Sequence, residues 1–133
     1  MPRTPRDIPD AELAVLQHLW NHGPATIRQV TDRLYPRGGT SAYATVQKLL
    51  ERLEAKHCVR RKRTGQAHVF EATLQCDELI GRRLQAMAEK LCGGSLTPLL
   101  THLVRAKQLT ARERQDLRSL IDELDRKNLS ERR

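Results

Sequence analysis

Thr40–Leu53 reads TSAYATVQKLLERL, and the basic run Arg60-Arg61-Lys62-Arg63 follows a few residues later. Val46, Leu49, Leu50 and Leu53 recur at i, i+3, i+4 and i+7, one apolar stripe of a helix of period 3.6. Ser41, Thr45, Lys48 and Arg52 fall on the opposite side, with Gln47 and Glu51 on its flanks. Such a helix sinks its leucines into a small core and turns hydroxyls and cations outward. Those are the groups a reading helix offers to base edges in a DNA major groove. An ordinary amphipathic surface helix has the same pattern, so the neighbouring segments decide between the two.

Upstream, Asp10 is placed to cap a first helix in which Leu13, Leu16 and Trp20 lie at i, i+3 and i+7. His22-Gly23-Pro24 ends it, because glycine supplies a left-handed exit and proline cannot continue the ladder. Thr26-x-x-Gln29 is a capping box opening a second helix, whose stripe is Ile27, Val30 and Leu34. Tyr35-Pro36 closes it, since the residue before proline is pushed out of the α region. The loop Arg37-Gly38-Gly39 then leads to Thr40 or Ser41 as N-cap of the third helix. After Lys56-His57 the period changes. Cys58–Arg63, the turn Thr64-Gly65-Gln66 and Ala67–Thr73 read as a β-hairpin, with Val59, Val69 and Phe70 as its β-preferring apolar residues. Helix–helix–helix–hairpin is the order of a winged helix. Cations of the third helix and of the hairpin then converge on one side of a three-helix core.

Beyond Thr73 helical spacing returns. Ile80, Leu84, Met87 and Leu91 lie at i, i+4, i+7 and i+11, and Gly93-Gly94 breaks the helix. Ser95 caps the next one, with Leu96, Leu99, Leu100 and Leu103 on its stripe. Thr110-x-x-Glu113 is a second capping box, before Leu117, Leu120, Ile121 and Leu124. The expected fold is mainly α with a small antiparallel β-hairpin, a winged helix-turn-helix followed by a three-helix C-terminal dimerisation domain. Residues 1–9, with three prolines, read as a flexible basic arm. Residues 10–73 form the winged helix, 74–128 the helical domain, and 129–133 a disordered polar tail. The last ~60 residues carry wide leucine faces on a unit too small to bury them well alone. They either pair with a second copy or pack back on the winged helix, and pairing is the natural inference.

The formal net charge of +8 and pI near 10.0 favour a polyanionic partner. Before Thr73 there are 12 basic against 7 acidic residues; the remainder holds 12 against 9, so the excess leans toward the hairpin half. Aromatics are only 3% of the chain, which makes the core aliphatic. No apolar run approaches the ~20 residues of a membrane span, and MPRTPRDIPD has no signal-peptide core. Cys58, Cys76 and Cys92 are odd in number and fit neither a disulfide framework nor a zinc site, so a reducing cytoplasm is the simplest location. His57-Cys58 is the only adjacent nucleophile–base pair, and neighbours at a helix–strand junction point apart. No enzyme and no cofactor is indicated. His18, His22, His68 and His102 lack metal-ligand spacing and read as surface or helix-end residues. Cys92, beside the Gly-Gly break, reads as a buried small residue rather than a redox sensor.

Over nearly its whole length the chain resembles the penicillinase-repressor (BlaI/MecI/CopY) family of bacterial transcriptional repressors. The matching pieces are Ala11-Glu12-Leu13 with Leu16 and Trp20, Tyr43-Ala44-Thr45-Val46, and Leu50 with Arg52-Leu53, Lys56 and Val59. Cys92-Gly93-Gly94-Ser95-Leu96 and Leu117–Leu124 carry the likeness through the C-terminal part. The resemblance implies a homodimer on a palindromic operator. It also implies relief of repression by different routes: cleavage after a membrane-bound sensor metallopeptidase meets a β-lactam, or metal binding at a C-terminal cysteine motif. Three departures stand out. Ala44-Thr45-Val46 replaces a Thr-Thr-Val, His102-Leu103 stands where the cleaved members have Asn-Phe, and no cysteine follows Cys92.

The reading is therefore a homodimeric repressor of double-stranded DNA, without membrane insertion. Thr45, Lys48 and Arg52 face the major groove, with Tyr43 from the matching stretch and Ser41 near a phosphate at the helix N-terminus. Arg60, Arg61, Lys62 and Arg63 clamp the flanking backbone; in an alternating strand Arg61 and Arg63 share one face and Arg60 and Lys62 the other. A winged-helix module for protein–protein or RNA contact is the alternative, although a protein partner has no need of the coincident helix and wing cations.

Overall fold

A computed structural model describes residues 7–106 and 109–131. The first six residues of the expected arm and the last two of the expected tail lie outside the described residues. The architecture is mainly α with one antiparallel hairpin: a winged helix-turn-helix, then further helices.

Helix α1 (Asp10–His22) starts one residue earlier than the pattern assigns, with Pro9 as N-cap and Asp10 as first helical residue. Proline suits the position because it has no amide hydrogen to leave unpaired and its φ is preset. Asp10 and Glu12 instead place negative charge in the first turn, where the helix dipole favours it. Gly23, at φ 82°, ends α1 by donating to Leu19 O at 2.9 Å. α2 (Ile27–Leu34) shows its capping box in full. The Gln29 amide donates to Thr26 Oγ1 at 3.1 Å, and the Thr26 amide to Gln29 Oε1 at 2.9 Å.

α3 (Gly39–Ala55) is capped by Gly38 and by no side chain, so neither Thr40 nor Ser41 is its cap. The entry is too tight for any other residue. A Cβ on Gly38 lies 2.1 Å from the Ala42 Cβ, and Gly39 holds φ 61°. At the far end His57 takes the left-handed conformation (φ 64°), and the Cys58 amide closes the helix on Leu53 O at 2.9 Å.

Strands β1 (Val59–Thr64) and β2 (Ala67–Ala72) pair antiparallel, with Arg61 opposite Phe70 and Thr64 opposite Ala67. Gly65, at φ 66°, makes the two-residue turn possible. Ala25 adds a one-residue bridge to Phe70, with amide–carbonyl bonds of 2.9 and 2.8 Å in both directions. That bridge ties the hairpin to the α1–α2 loop.

The core gathers Val15, Leu16, Leu19, Val30, Val46, Leu49, Leu50, Leu53, Val59 and Phe70. Leu13 and Trp20 pack at its margin, and Trp20 Nε1 donates to Leu74 O at 2.8 Å. Ile8 is buried, so the expected arm is anchored before Asp10. Leu74 and Leu79 are buried too, and the core thus takes residues from beyond Thr73. Glu12 is a buried carboxylate, 2% exposed, paired with Lys56 at the end of α3.

The chain divides into two compact units between Arg82 and Arg83, inside α4 (Cys76–Cys92). In the second unit Gly93 and Gly94 hold φ 61° and 91°, and the Gly94 amide turns back to Ala88 O at 2.9 Å. α5 (Thr97–Ala106) follows, its first amide donating to Ser95 Oγ at 3.3 Å. α6 (Ala111–Glu131) opens on the second capping box, with Thr110–Glu113 bonds of 3.0 and 3.1 Å. Hydrogen bonding to the Thr110 amide, then to its side chain, holds the Glu113 carboxyl below its usual range. α6 runs on through residues 129–131, the described part of the expected disordered tail. Leu129–Glu131 contains neither Gly nor Pro, and nothing there stops the helix.

Among the described residues of the second unit, Ala88 is the only buried hydrophobic. Leu84, Met87, Leu91, Leu96, Leu100, Leu103, Leu117, Leu120, Ile121 and Leu124 are exposed, as is Ile80 in the first unit, while Leu99 is half-buried. No described helix is long and apolar enough to cross a membrane.

Candidate nucleic-acid interface

The buried stripe of α3 leaves Ser41, Thr45, Lys48 and Arg52 on its exposed side. The Thr45 hydroxyl donates along the helix to Ser41 O at 3.0 Å, and the residue stays exposed. Lys48 and Arg52 are tied to no carboxylate of the described residues. Tyr43 is half-buried, with the Arg28 guanidinium of α2 5.4 Å over its ring, so it belongs partly to the α2–α3 contact. The first turn of α3 has no side-chain cap, and its amides keep their affinity for an anion.

The hairpin treats its four cations unequally. Arg60 and Lys62 share one face, as alternation requires, and both pair with Glu71, Lys62 at 3.2 Å. Their hydrogen bonds, Arg60's first, hold the Glu71 carboxyl below its usual range. Arg61 faces the other way, over the buried Phe70 ring at 4.9 Å. Its Nε and Nη2 donate to Glu54 Oε2 and Oε1 of α3, each at 2.9 Å. That bond pushes the guanidinium further above its ordinary value. Arg63, on the same strand face, pairs with no carboxylate of the described residues. Alternation was readable in the sequence; the partners were not. Once a two-residue turn fixes the register, Glu71 falls opposite Arg60 and becomes readable, whereas Glu54 requires the packing of α3 on β1.

The histidines and cysteines build no reactive centre. Cys58 is buried in the core, which pushes its thiol up, while His57 is exposed. His18 is not a surface residue: it is 8% exposed, on the same side of α1 as Val15. Its Nδ1 has no hydrogen-bond partner among the described residues, and its ring lies 4.8 Å from that of His22. His22 Nε2 in turn meets Arg33 Nη2 at 3.0 Å, in an open cleft of ≈ 450 Å³. Cys92 is half-buried and Cys76 exposed. Among the described residues no group of three His, Cys, Asp or Glu is placed to hold a metal ion.

The penicillinase repressor family model matches residues 8–123, which take in the three-helix core, the cationic hairpin and most of the helices that follow. The chain belongs to the penicillinase-repressor family. It is 36% identical over 118 residues to the transcriptional regulator BlaI of Mycobacterium tuberculosis, covering 87% of this chain and 83% of that protein. It is 24% identical over 116 residues to the penicillinase repressor of Bacillus licheniformis (87% and 90% covered). The corresponding figure for the Staphylococcus aureus penicillinase repressor is 19% over 121 residues (91% and 95%). Penicillinase repressors are transcriptional regulators rather than enzymes.

Proposed function

We propose that the protein is a homodimeric, cytoplasmic transcriptional repressor that occupies a palindromic DNA operator. The observation that carries this reading is the pair Lys48 and Arg52, exposed and unpaired with any described carboxylate, on α3 of a penicillinase-repressor winged helix. Both suit guanine O6 and N7, and the exposed Thr45 offers a methyl group of the kind that packs on a thymine methyl. Ser41 and the uncapped first turn of α3 favour a backbone phosphate. On the wing, Arg63 reaches phosphate without breaking an ion pair. Arg60 and Lys62 share one carboxylate, and surface pairs of that kind exchange readily. Repression follows from occupancy, and no bond is made or broken.

The homodimer is supported by the open faces of α4, α5 and α6, since α6 buries none of its residues. Exposed large apolar residues in such number mark a protein partner, and a second copy supplies a complementary face. Two reading heads then address half-sites about one helical turn, ~10–10.5 bp, apart or a multiple of it. A membrane-bound sensor metallopeptidase remains the partner the family likeness suggests. His102-Leu103 in α5 argues for a peptidase of altered specificity or for a signal without cleavage.

A gel shift tests the reading, using duplexes that tile the DNA upstream of the protein's own gene. One tile should shift and resist a scrambled competitor. Lys48→Ala with Arg52→Ala should weaken that complex by about 1–3 kcal/mol per lost base contact while leaving the protein folded. Equal retention of every tile, or preference for duplex RNA, would overturn the proposal.

A further inference from the structure

Within the first unit, reading helix and wing are joined by one side-chain clamp. Arg61 of β1 and Glu54 of α3 meet fork on fork, with both N–O distances 2.9 Å. Planar bidentate pairs of this kind fix orientation as well as distance. The guanidinium also lies 4.9 Å from the centroid of Phe70, whose ring is fully buried and whose backbone faces Arg61 across the hairpin. Arg61 is thus held by a carboxylate on one element and by an aromatic anchored in the core. The other wing pairs differ in kind. Glu71 binds Arg60 and Lys62 within the hairpin itself, so those bonds say nothing about where the hairpin points. Among the described residues, no other side-chain hydrogen bond or ion pair joins the hairpin strands to α3.

An isolated two-stranded hairpin is marginal in water. The base of this one is fixed by the Ala25–Phe70 bridge and the buried Val59. The Glu54–Arg61 clamp adds a side-chain tie to α3 at the register position of that bridge. We propose that Glu54 and Arg61 are positioning residues, which fix the angle between wing and reading helix so that both dock on one duplex, and that Arg61 does not contact phosphate. The inference rests on the DNA-binding reading above. It assigns a role in DNA preference to Glu54, an acidic residue that a search for cations passes over.

Charge alone predicts the opposite of the clamp. Glu54→Gln removes a negative charge from the DNA side and frees a guanidinium, so long-range attraction to any duplex rises. Loss of the clamp lowers only the complex that needs helix and wing together. The test uses full-length protein, the upstream duplex it shifts and a scrambled duplex, with affinities measured across a salt series. Glu54→Gln and Arg61→Lys should each lower the specific-to-scrambled ratio by about tenfold. Arg61→Lys, which conserves the charge, should leave the slope of log affinity against log salt unchanged. Arg63→Ala, the control for a true phosphate contact, should reduce that slope by roughly 0.9. A Glu54→Gln protein that keeps or raises the ratio overturns the proposal. So does an Arg61→Lys protein with wild-type preference, since lysine preserves a phosphate contact but not the fork. Amide exchange on the free proteins gives a reading independent of DNA. Residues 62–69 should exchange about tenfold faster in Glu54→Gln, with α1 unchanged; unaltered rates sink the clamp. If the wild type shows no duplex preference, the repressor reading fails with the DNA role of the clamp, while the exchange rates still decide whether Glu54 holds the wing.

Discussion

Lys56→Met should be the most damaging single change at the edge of the core. Lys56 Nζ donates to Glu12 and, at 2.7 Å, to Asp7 O, so it joins α1, the end of α3 and the segment that carries the buried Ile8. Methionine fills a similar volume but leaves the Glu12 carboxylate, 2% exposed, without its cation. Removing one partner of a buried pair costs about 3–5 kcal/mol. The Lys56 side chain is 23% exposed, so water reaches this pair and the lower end, about 3 kcal/mol, applies. For a unit of this size, that corresponds to a melting temperature roughly 12–24 °C lower. Circular dichroism during thermal and urea unfolding, at one fixed protein concentration, reads the difference. The double variant Glu12→Leu with Lys56→Met should recover most of the loss, because replacing both charges by apolar groups removes the buried carboxylate. A Lys56→Met protein within 1 kcal/mol of wild type, or a double variant no better than the single, would refute this account of the pair.

Three further outcomes follow from the geometry. Burial, then His22 and Arg33, hold His18 below its ordinary 6.5, so the unfolded chain takes up that proton first as pH falls. Stability should therefore drop below about pH 6.5, and His18→Leu should remove that part of the acid sensitivity while changing nothing of the pH profile above it, as melts between pH 5 and 8 would reveal. Gly38→Ala drives a Cβ to 2.1 Å from Ala42 and should destabilise by about 1–3 kcal/mol in urea titrations. Leu120→Glu with Leu124→Glu places charge on the open face of α6 and should leave a monomer by sedimentation, with the winged helix still folded; an unchanged mass would move the proposed interface elsewhere.

The elements were legible wherever a local rule governs them. The capping boxes at Thr26 and Thr110, the glycine exits at Gly23 and Gly93, and the leucine stripe of α3 depend on residues within one or two turns. The reading face of α3 was legible for the same reason, being whatever the stripe leaves outside. What could not be seen depends on contacts between elements. Ile8 and Leu74 are bordered by polar and proline-rich sequence, yet complete the core by packing on distant residues. His18 looks like one of several helix-end histidines until α1 is docked and its buried face proves wider than a single stripe. Arg61 and Arg63 are equivalent in an alternating strand. Only the approach of Glu54 and Phe70 makes one a strut and leaves the other available.

The two units also differ in how they obtain stability, and on the proposed function that difference has a consequence. The first unit closes an aliphatic core around Leu16, Leu50, Leu53 and Phe70, so its fold does not depend on a second chain. Among its described residues the second unit buries little beyond Ala88 and leaves most of its leucines exposed, which the proposed homodimer would cover. A disturbance there, by cleavage or by a change at the interface, therefore leaves each reading head folded and changes only whether two heads act together. Linked heads raise each other's effective concentration on neighbouring half-sites, and separated heads lose that gain without losing a single base contact. The controlling signal thus has no need to reach α3 or the wing. It suffices that the signal acts on α4, α5 or α6, where the marginal burial makes a small perturbation decisive.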